Sequence, residues 1–414
     1  MRRNLVRIAL LSLAALMLIP AFASAADAKK KHKHSIKVGV MTRNLFLGSD
    51  LTPALDAPTF EPFIEANGLI LRNVDTTNFP LRAQGLAQEI KSKKPDLVGL
   101  QEAALWRTGP VAIPPAISGA PPTALTVKYD FLQNLLDELK KRGMKYKVAV
   151  VQDEFDFEAP TDYNNVDNDA PPGPFNSDPS TNDEGPNSLD DAEINGRLTM
   201  RDAILVNKDS KVDAKLKNPQ MGHYKNLFTP TVAGIKIPIV RGWVAGDVTV
   251  QKTFGHAKAK AKKETVKKTF RFVNTHFEAF DDRTEHPSIR ALQAQELTSG
   301  GGTYGEGPAS AKKTILLGDF NSDDDTVVPD DQQAYRVLLD AGFTERSTAN
   351  PLGCCVNDLF TSPPTEFDHQ VDHIMSNQSK KKVKLLNSSV TGLAQANGIY
   401  DSDHAGLFST LKLK

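Results

Sequence analysis

The sequence predicts an α/β fold, because β-branched runs alternate with segments of helical period through both halves of the chain. Ile36 to Met41 (IKVGVM) has the character of a buried strand, Asn78 to Pro95 that of a helix, and Asp96 to Leu100 (DLVGL) that of a second strand. Of 414 residues, 40% are hydrophobic and 24% charged, a balance that builds a core and excludes a disordered or collagen-like chain. Only 2 cysteines exclude a disulfide scaffold, and 50 Lys+Arg against 50 Asp+Glu exclude binding of nucleic acid by bulk charge alone.

Residues 1–25 read as a secretory signal peptide. Arg2, Arg3 and Arg7 give a basic start, Ile8 to Ile19 an apolar run too short to span a bilayer, and Ala23-Ser24-Ala25 small residues for cleavage. Cleavage removes three Arg and no acid, so 47 basic against 50 acidic side chains remain. A secreted protein with no transmembrane segment is expected. Residues 26–34, which include KKKHKH, form a basic flexible leader, and 35–414 are expected to be one domain.

Within the first helix Leu81, Leu86 and Ile90 share a face, Asn78 supplies a cap and Pro95 a breaker. The apolar, proline-rich loop Thr108 to Leu125 reads as a rigid rim or as a lipid-facing or gating one. Tyr129 to Arg142 is a second helix, carried by Phe131, Leu132, Leu135, Leu136 and Leu139, and Tyr146 to Val151 a following strand. Residues 153–195, rich in Asp, Asn, Pro, Gly and Ser, read as an acidic insertion on the surface. Its alternative is a calcium loop through Asp167, Asp169 and Asp183, without the spacing of a twelve-residue calcium loop.

Strands are expected at Ala203 to Val206, Trp243 to Thr253 and Thr269 to Thr275. The last two are joined by the tip GHAKAKAKKE, whose lysines either protect a sheet edge or touch phosphate. A helix near His286 to Leu297, a strand at Thr314 to Leu317, a helix from Asp331 to Leu339 and a strand around Leu407 to Lys412 complete the pattern. The neighbours Cys354 and Cys355 are compatible with a vicinal disulfide, two thiols or an intermolecular link.

Polar residues of one kind recur where these strands end. Asn44 follows the first strand, Glu102 closes LVGLQE, His276 closes FVNTH, and Asp319 and Asn321 close ILLGDFN. Asp372 sits in VDHI, and Asp403-His404 precede the final strand. Each alone has an explanation as a turn former or a solvated strand end. Turn chemistry gives no reason for His276, Asp319, Asn321 and His404 all to occupy such positions, and strand ends along one sheet edge converge in space. The joint pattern favours a hydrolytic metal site.

In order, NL, LQE, RDAILV, NTHF, GDFN, VDHI and SDH resemble the motifs of the endonuclease/exonuclease/phosphatase superfamily, from Thr42 to Leu411. The resemblance implies a four-layered α/β sandwich, two packed mixed β-sheets flanked by helices. It implies that Glu102 is a metal carboxylate with Asn44 and Asp403 as further ligands, and that Asp319 and Asn321 orient and deprotonate the attacking water. By the same resemblance His404 contacts the phosphate, Asp372 fixes its tautomer, and His276 protonates the leaving group or binds phosphate. Arg201 falls where an arginine contacts phosphate; its alternative is a structural ion pair with the acidic insertion. Mg²⁺ is the implied cofactor, with Mn²⁺ or Ca²⁺ as alternatives. The implied activity is a metal-dependent phosphodiesterase acting on nucleic acid, with phospholipid, sphingomyelin and inositol phosphates as alternative substrates. A catalytically silent binding module is the non-enzymatic alternative, disfavoured by the complete residue set. A monomer is assumed.

Overall fold

Alternation along the first strand, β1 (Ile36–Asn44), sets the frame. Ile36, Val38 and Val40 are buried on one side, whereas Lys37 between them is exposed and Met41 joins a different core. The computed structural model describes residues 34–164, 189, 192–255, 263–280, 287–299, 307–311, 313–323, 332–348, 351–396 and 398–414. The signal peptide, residues 26–33 of the leader, the lysine-rich tip at 256–262 and the candidate calcium ligands Asp167, Asp169 and Asp183 lie outside the described residues.

After β1 come α1 (Thr52–Leu55), α2 (Phe60–Thr76), α3 (Phe79–Lys93), β2 (Leu97–Gln101), β3 (Leu105–Gly109), α4 (Pro115–Ser118), β4 (Thr126–Asp130) and α5 (Phe131–Lys141). The chain continues through the long strands β5 (Tyr146–Thr161) and β6 (Ile194–Asn207), then β7 (Lys215–His223), β8 (Thr231–Val232), β9 (Ile235–Lys236), β10 (Gly242–Phe254) and β11 (Glu264–His276). It closes with α6 (Ile289–Ser299), β12 (Thr314–Asp319), α7 (Gln333–Asp340), β13 (Thr344–Glu345), β14 (Asp372–Ser376), β15 (Val383–Thr391) and β16 (Gly406–Leu413).

One sheet runs β15-β16-β1-β2-β6-β3-β4 with β5 also paired to β6, and the other runs β13-β14-β12-β11-β10-β7. Both are mixed, since β1–β2 and β11–β12 are parallel and the other pairs antiparallel. Three apolar layers separate four structural ones. Between the sheets, Val38, Val40, Leu97 and Ile204 meet Val244, Phe272, Ile315 and Leu317. Outside the first sheet, α2, α3 and α5 cover Met41, Val98, Leu100 and Leu205; outside the second, α6 and α7 cover Val273, Leu316 and Met375. This is the expected four-layered sandwich. The inter-sheet gap is narrow at Gly99, where a Cβ would lie 2.2 Å from Leu317 Cδ1.

Two sequence expectations change. The helix α2 was not anticipated, although Phe60, Phe63, Ile64, Ile70, Leu71 and Val74 bury one face, because Pro62 and Gly68 interrupt its pattern. The acidic insertion is shorter than 153–195: β5 continues to Thr161 and β6 begins at Ile194. Its acids conceal a strand alternation, with Phe155, Phe157 and Ala159 turned to the helix-side core and Asp156 and Glu158 to the other face. The described helices include none long and apolar enough to cross a membrane.

Candidate active site

The inward face of each central strand closes on a polar residue, and on β1 and β11 the inward position before it is already polar, Thr42 and Asn274. Inward positions Val38 and Val40 lead along β1 to Asn44, Phe270 and Phe272 along β11 to His276, and Ile315 and Leu317 along β12 to Asp319. On antiparallel β14, Ile374 leads back to Asp372. A period of two thus delivers four polar side chains to one end of the inter-sheet core. Register then pairs His276 with Asp319 and Asp319 with Asp372 as direct neighbours. Gly318 allows this crowding, since a Cβ there would lie 1.9 Å from the Thr275 carbonyl oxygen.

The neighbouring turns complete the cluster. Asn44 Nδ2 donates to Glu102 Oε1 (3.1 Å) and Asp319 Oδ2 (2.9 Å), and the Leu47 N–H donates to Glu102 Oε2 (2.6 Å). His276 Nε2 lies 3.5 Å from Asp319 Oδ2 and 3.9 Å from Glu102 Oε1. His404 Nδ1 is 2.8 Å from Asp372 Oδ2, and its Nε2 is 3.7 Å from Asp319 Oδ2. The Asn321 N–H donates to Asp319 Oδ1 (2.9 Å), while its Nδ2 donates to the Phe277 carbonyl (3.0 Å). Phe46, Glu102 and Asn321 are non-glycine residues with φ of 55°, 52° and 46°, so three loops of the site hold left-handed backbone. Such conformations cost about 1 kcal/mol or more each and persist where the surroundings fix them.

The two histidines carry opposite charge states. Burial, then Arg241, push His276 down to about 3, so it is neutral. Arg241 Nη1 faces His276 Nδ1 at 3.2 Å, and because arginine only donates, Nδ1 accepts and the ring proton sits on Nε2, toward Asp319 and Glu102. For His404 burial acts downward, but Asp403, Asp319 and Asp372 outweigh it and hold the imidazole well above its ordinary range. The Asp403 carboxyl is raised to about 7, by burial first and by Glu102 and Asp319 among its neighbours. Carboxylates crowded enough to raise Asp403 are the donor set of a hard divalent cation, and Glu102 and Asp403 are the residues that would hold it.

Two expected roles are revised by orientation. Asn44 Oδ1 accepts from the Phe46 N–H at 2.8 Å, which turns the amide nitrogen toward the carboxylates, so Asn44 orients Glu102 and Asp319 instead of offering a metal its oxygen. Arg201 lies beneath the Glu102 turn: Nε donates to the Ala103 carbonyl (2.7 Å), and Nη2 to the Ala104 carbonyl (3.2 Å) and Asp130 Oδ1 (2.6 Å). Its guanidinium braces that turn, not the phosphate site, and its ion-pair partner is Asp130, not the insertion.

Several supporting residues were missed. Arg241, which sets the His276 tautomer, also faces Glu278 Oε1 at 3.6 Å. Glu278, two residues after His276 in THFEAF, was the nearest signal in the sequence. Arg82 donates to the carbonyls of Leu45 (2.6 Å), Phe46 (3.0 Å), Thr77 (2.9 Å) and Asp401 (3.1 Å), tying the loops of Asn44 and His404 together. Arg43 joins them too, through Glu89 (2.8 Å) and the His404 carbonyl. Glu154 and Asp202 form a buried acidic pair behind the site; burial pushes Glu154 up to about 8.

Beyond the strand ends one wall rises. β6 passes the end of β2 at Ala203–Leu100 and still pairs with β3 from Thr199–Leu105 to Asn195–Gly109. Arg107, Asp156, Arg197 and Thr199 alternate there with Trp106, Phe155, Phe157 and Leu198 of the helix-side core, and so occupy the cleft-facing side. Asp156 accepts from Arg107 (3.1 Å) and Arg197 (2.9 Å). The top of this wall carries exposed Ile113, Ile117, Leu125 and Val127. The β10–β11 hairpin leaves the site in the opposite sense: Glu264 is twelve residues along β11 from His276, roughly 40 Å.

A family model described as the Endonuclease/Exonuclease/phosphatase family matches residues 66–404. Among solved structures the chain is similar to an endonuclease/exonuclease/phosphatase family protein from Bacteroides thetaiotaomicron, at 14% identity and a TM-score of 0.47, covering 92% of this chain and 99% of that one. It is similar to the mannosyl-6-phosphatase Bt3783 of the same organism at 16% identity and a TM-score of 0.43, covering 90% and 99%. TDP2 from D. rerio, complexed with a single-strand DNA product, is similar at 14% identity and a TM-score of 0.41, covering 91% and 98%. A search of curated protein sequences returns no match. With the family model spanning most of the chain and its strand-end cluster of acids and imidazoles, the protein belongs to the endonuclease/exonuclease/phosphatase family and is a metal-dependent phosphoesterase.

Proposed function

We propose that the chain is an exported, Mg²⁺-dependent phosphodiesterase that hydrolyses nucleic acid by in-line attack of water. The observation that carries this reading is the convergence of Glu102, His276, Asp319 and His404 on one end of the inter-sheet core. Glu102 and Asp403 would hold the metal, which when bound would supply charge neutralisation at the phosphate. Asp319, held by Asn44 and the Asn321 N–H, is the base that orients and deprotonates the water. His404, protonated and fixed by Asp372, donates to a phosphoryl oxygen, and neutral His276 offers its Nε2 proton to another. A neutral His276 stabilises charge and leaves acid catalysis to other groups.

The nucleic-acid assignment draws support from Arg107 and Arg197, which line the cleft-facing wall where a second phosphate of a polymer would run. A phospholipid substrate is the second reading, supported by the exposed Ile113, Ile117, Leu125 and Val127 at the top of that wall. Export is supported by the basic start, short apolar run and small residues of 1–25. The test incubates the mature protein with Mg²⁺, Mn²⁺ or Ca²⁺ against plasmid DNA, RNA, sphingomyelin and an inositol phosphate. Fastest turnover of DNA or RNA with Mg²⁺ supports the proposal. Preference for sphingomyelin, or no cleavage of any nucleic acid, rejects it.

A further inference from the structure

A disulfide joins Cys354 to Cys355, and both sulfurs lie against the active-site imidazole. Cys354 Sγ is 3.8 Å and Cys355 Sγ 3.6 Å from His404 Nε2, the ring nitrogen turned away from Asp372, whose proton a bound metal displaces to solvent. A tetrahedral zinc, at 2.3 Å from sulfur and 2.0 Å from nitrogen, separates such ligands by about 3.5 Å. The sulfur-to-nitrogen separations are thus already those of a metal site, and the three donor atoms all lie within 4.8 Å of one another. Asp372 behind Nδ1 completes the carboxylate–imidazole pairing that orients a metal-binding histidine. The sulfur–sulfur bond and the Nε2 proton withhold the ligands, and a metal that binds the reduced pair releases that proton and those of the two thiols.

We propose that reducing Cys354–Cys355 creates a second, thiophilic metal site, Cys354–Cys355–His404, which captures a zinc-class divalent ion and withdraws His404 from phosphoester chemistry. Access exists: Cys355 is exposed, and both cysteines line a cleft of about 360 Å³ shared with Asn321 and Arg290. A phosphine reductant attacks Cys355 sulfur and expels Cys354 as thiolate. Water then gives its oxygen to phosphorus and its protons to the two sulfurs, leaving one phosphine oxide and two thiols. Soft thiolates select zinc over magnesium, so this site does not compete for the ion of Glu102 and Asp403. Adjacent cysteines close almost no loop, so opening the bond leaves the fold intact.

The binding half stands on this geometry alone, whereas the inhibitory half rests on His404 acting in catalysis. Full-length mature protein, oxidised or phosphine-reduced under nitrogen, is titrated with zinc against a chromophoric chelator and separately with cobalt(II), and circular dichroism follows the fold. Reduced protein should bind one equivalent at least 10-fold more tightly than oxidised protein and show a thiolate–cobalt charge-transfer band. Cys354→Ser and Cys355→Ser should each lose that band. One equivalent of zinc should lower Mg²⁺-supported activity of the reduced enzyme at least 10-fold and leave the Cys354→Ser/Cys355→Ser double variant unaffected. Equal zinc affinity in both redox states, or a band that survives in either serine variant, overturns the site. Tight binding without loss of activity overturns the withdrawal of His404. If the enzyme cleaves no phosphodiester under any condition, the substrate reading fails and the cobalt titration still decides the metal site.

Discussion

Replacing Asp372 by Asn removes the charge that faces His404 Nδ1 at 2.8 Å while keeping the size of the side chain. Taking the charge centres as roughly 4 Å apart and an effective dielectric of about 20, the lost attraction is about 4 kcal/mol. Asp403 and Asp319 still face the ring, so the imidazole stays raised in the variant but less than in wild type, and a downward shift is expected. The imidazolium is the form that donates to the phosphate. Wild-type activity should therefore fall only on an alkaline limb well above neutral, and Asp372→Asn should bring that limb toward neutral pH. At pH values between the variant's limb and the wild-type limb the variant should be slower, by up to the roughly 100- to 10,000-fold that one acid–base group supplies. The assay is hydrolysis of bis(p-nitrophenyl) phosphate at saturating Mg²⁺ across pH 5 to 10, with His404→Ala and the double variant in parallel. An unmoved limb, together with fully additive losses in the double variant, would show that the two residues do not act as a unit and refute the argument.

Glu102→Gln should lose Mg²⁺ binding by calorimetry and orders of magnitude in kcat while melting close to wild type; unchanged activity, or activity in excess chelator, counts against the metal role. Asp319→Asn should lower kcat by about 100-fold or more with little change in melting temperature, whereas collapse of the fold would assign it a structural role. Arg241→Met removes one of the three causes that depress His276, the others being burial and His404, so the His276 proton resonance should titrate at higher pH in the variant and kcat should fall. Glu154, raised to about 8, binds its proton more strongly folded than unfolded, so its contribution to stability falls as pH rises from about 4.5 to about 8. Glu154→Gln lacks that slope, and its unfolding free energy, read from denaturant melts, should gain on wild type across this interval by at most about 1.4 kcal/mol per pH unit; a constant difference would contradict the buried acid.

Local pattern alone determined much of this protein. The alternation IKVGVM, the spacing of Leu81, Leu86 and Ile90 and the run ILLGD depend on contacts within a few residues, and they marked β1, α3 and β12. Strand period also placed His276, Asp319 and Asp372 at strand ends, because a residue at the close of an apolar inward face must lie at the edge of the core. Side-chain direction was decided elsewhere. That Asn44 turns its nitrogen to the acids depends on the Phe46 N–H in a left-handed turn, and that Arg201 braces the Glu102 turn depends on Asp130, 71 residues away. The neutral state of His276 depends on Arg241 arriving from β10's approach, 35 residues back, and the charge of His404 on acids from three separate segments. The same holds for Cys354 and Cys355, whose place beside His404 is 50 and 49 residues distant in sequence. A hydrogen-bond partner or a buried charge acts through space over a few ångströms, so its identity is fixed only when the two sheets close on one another.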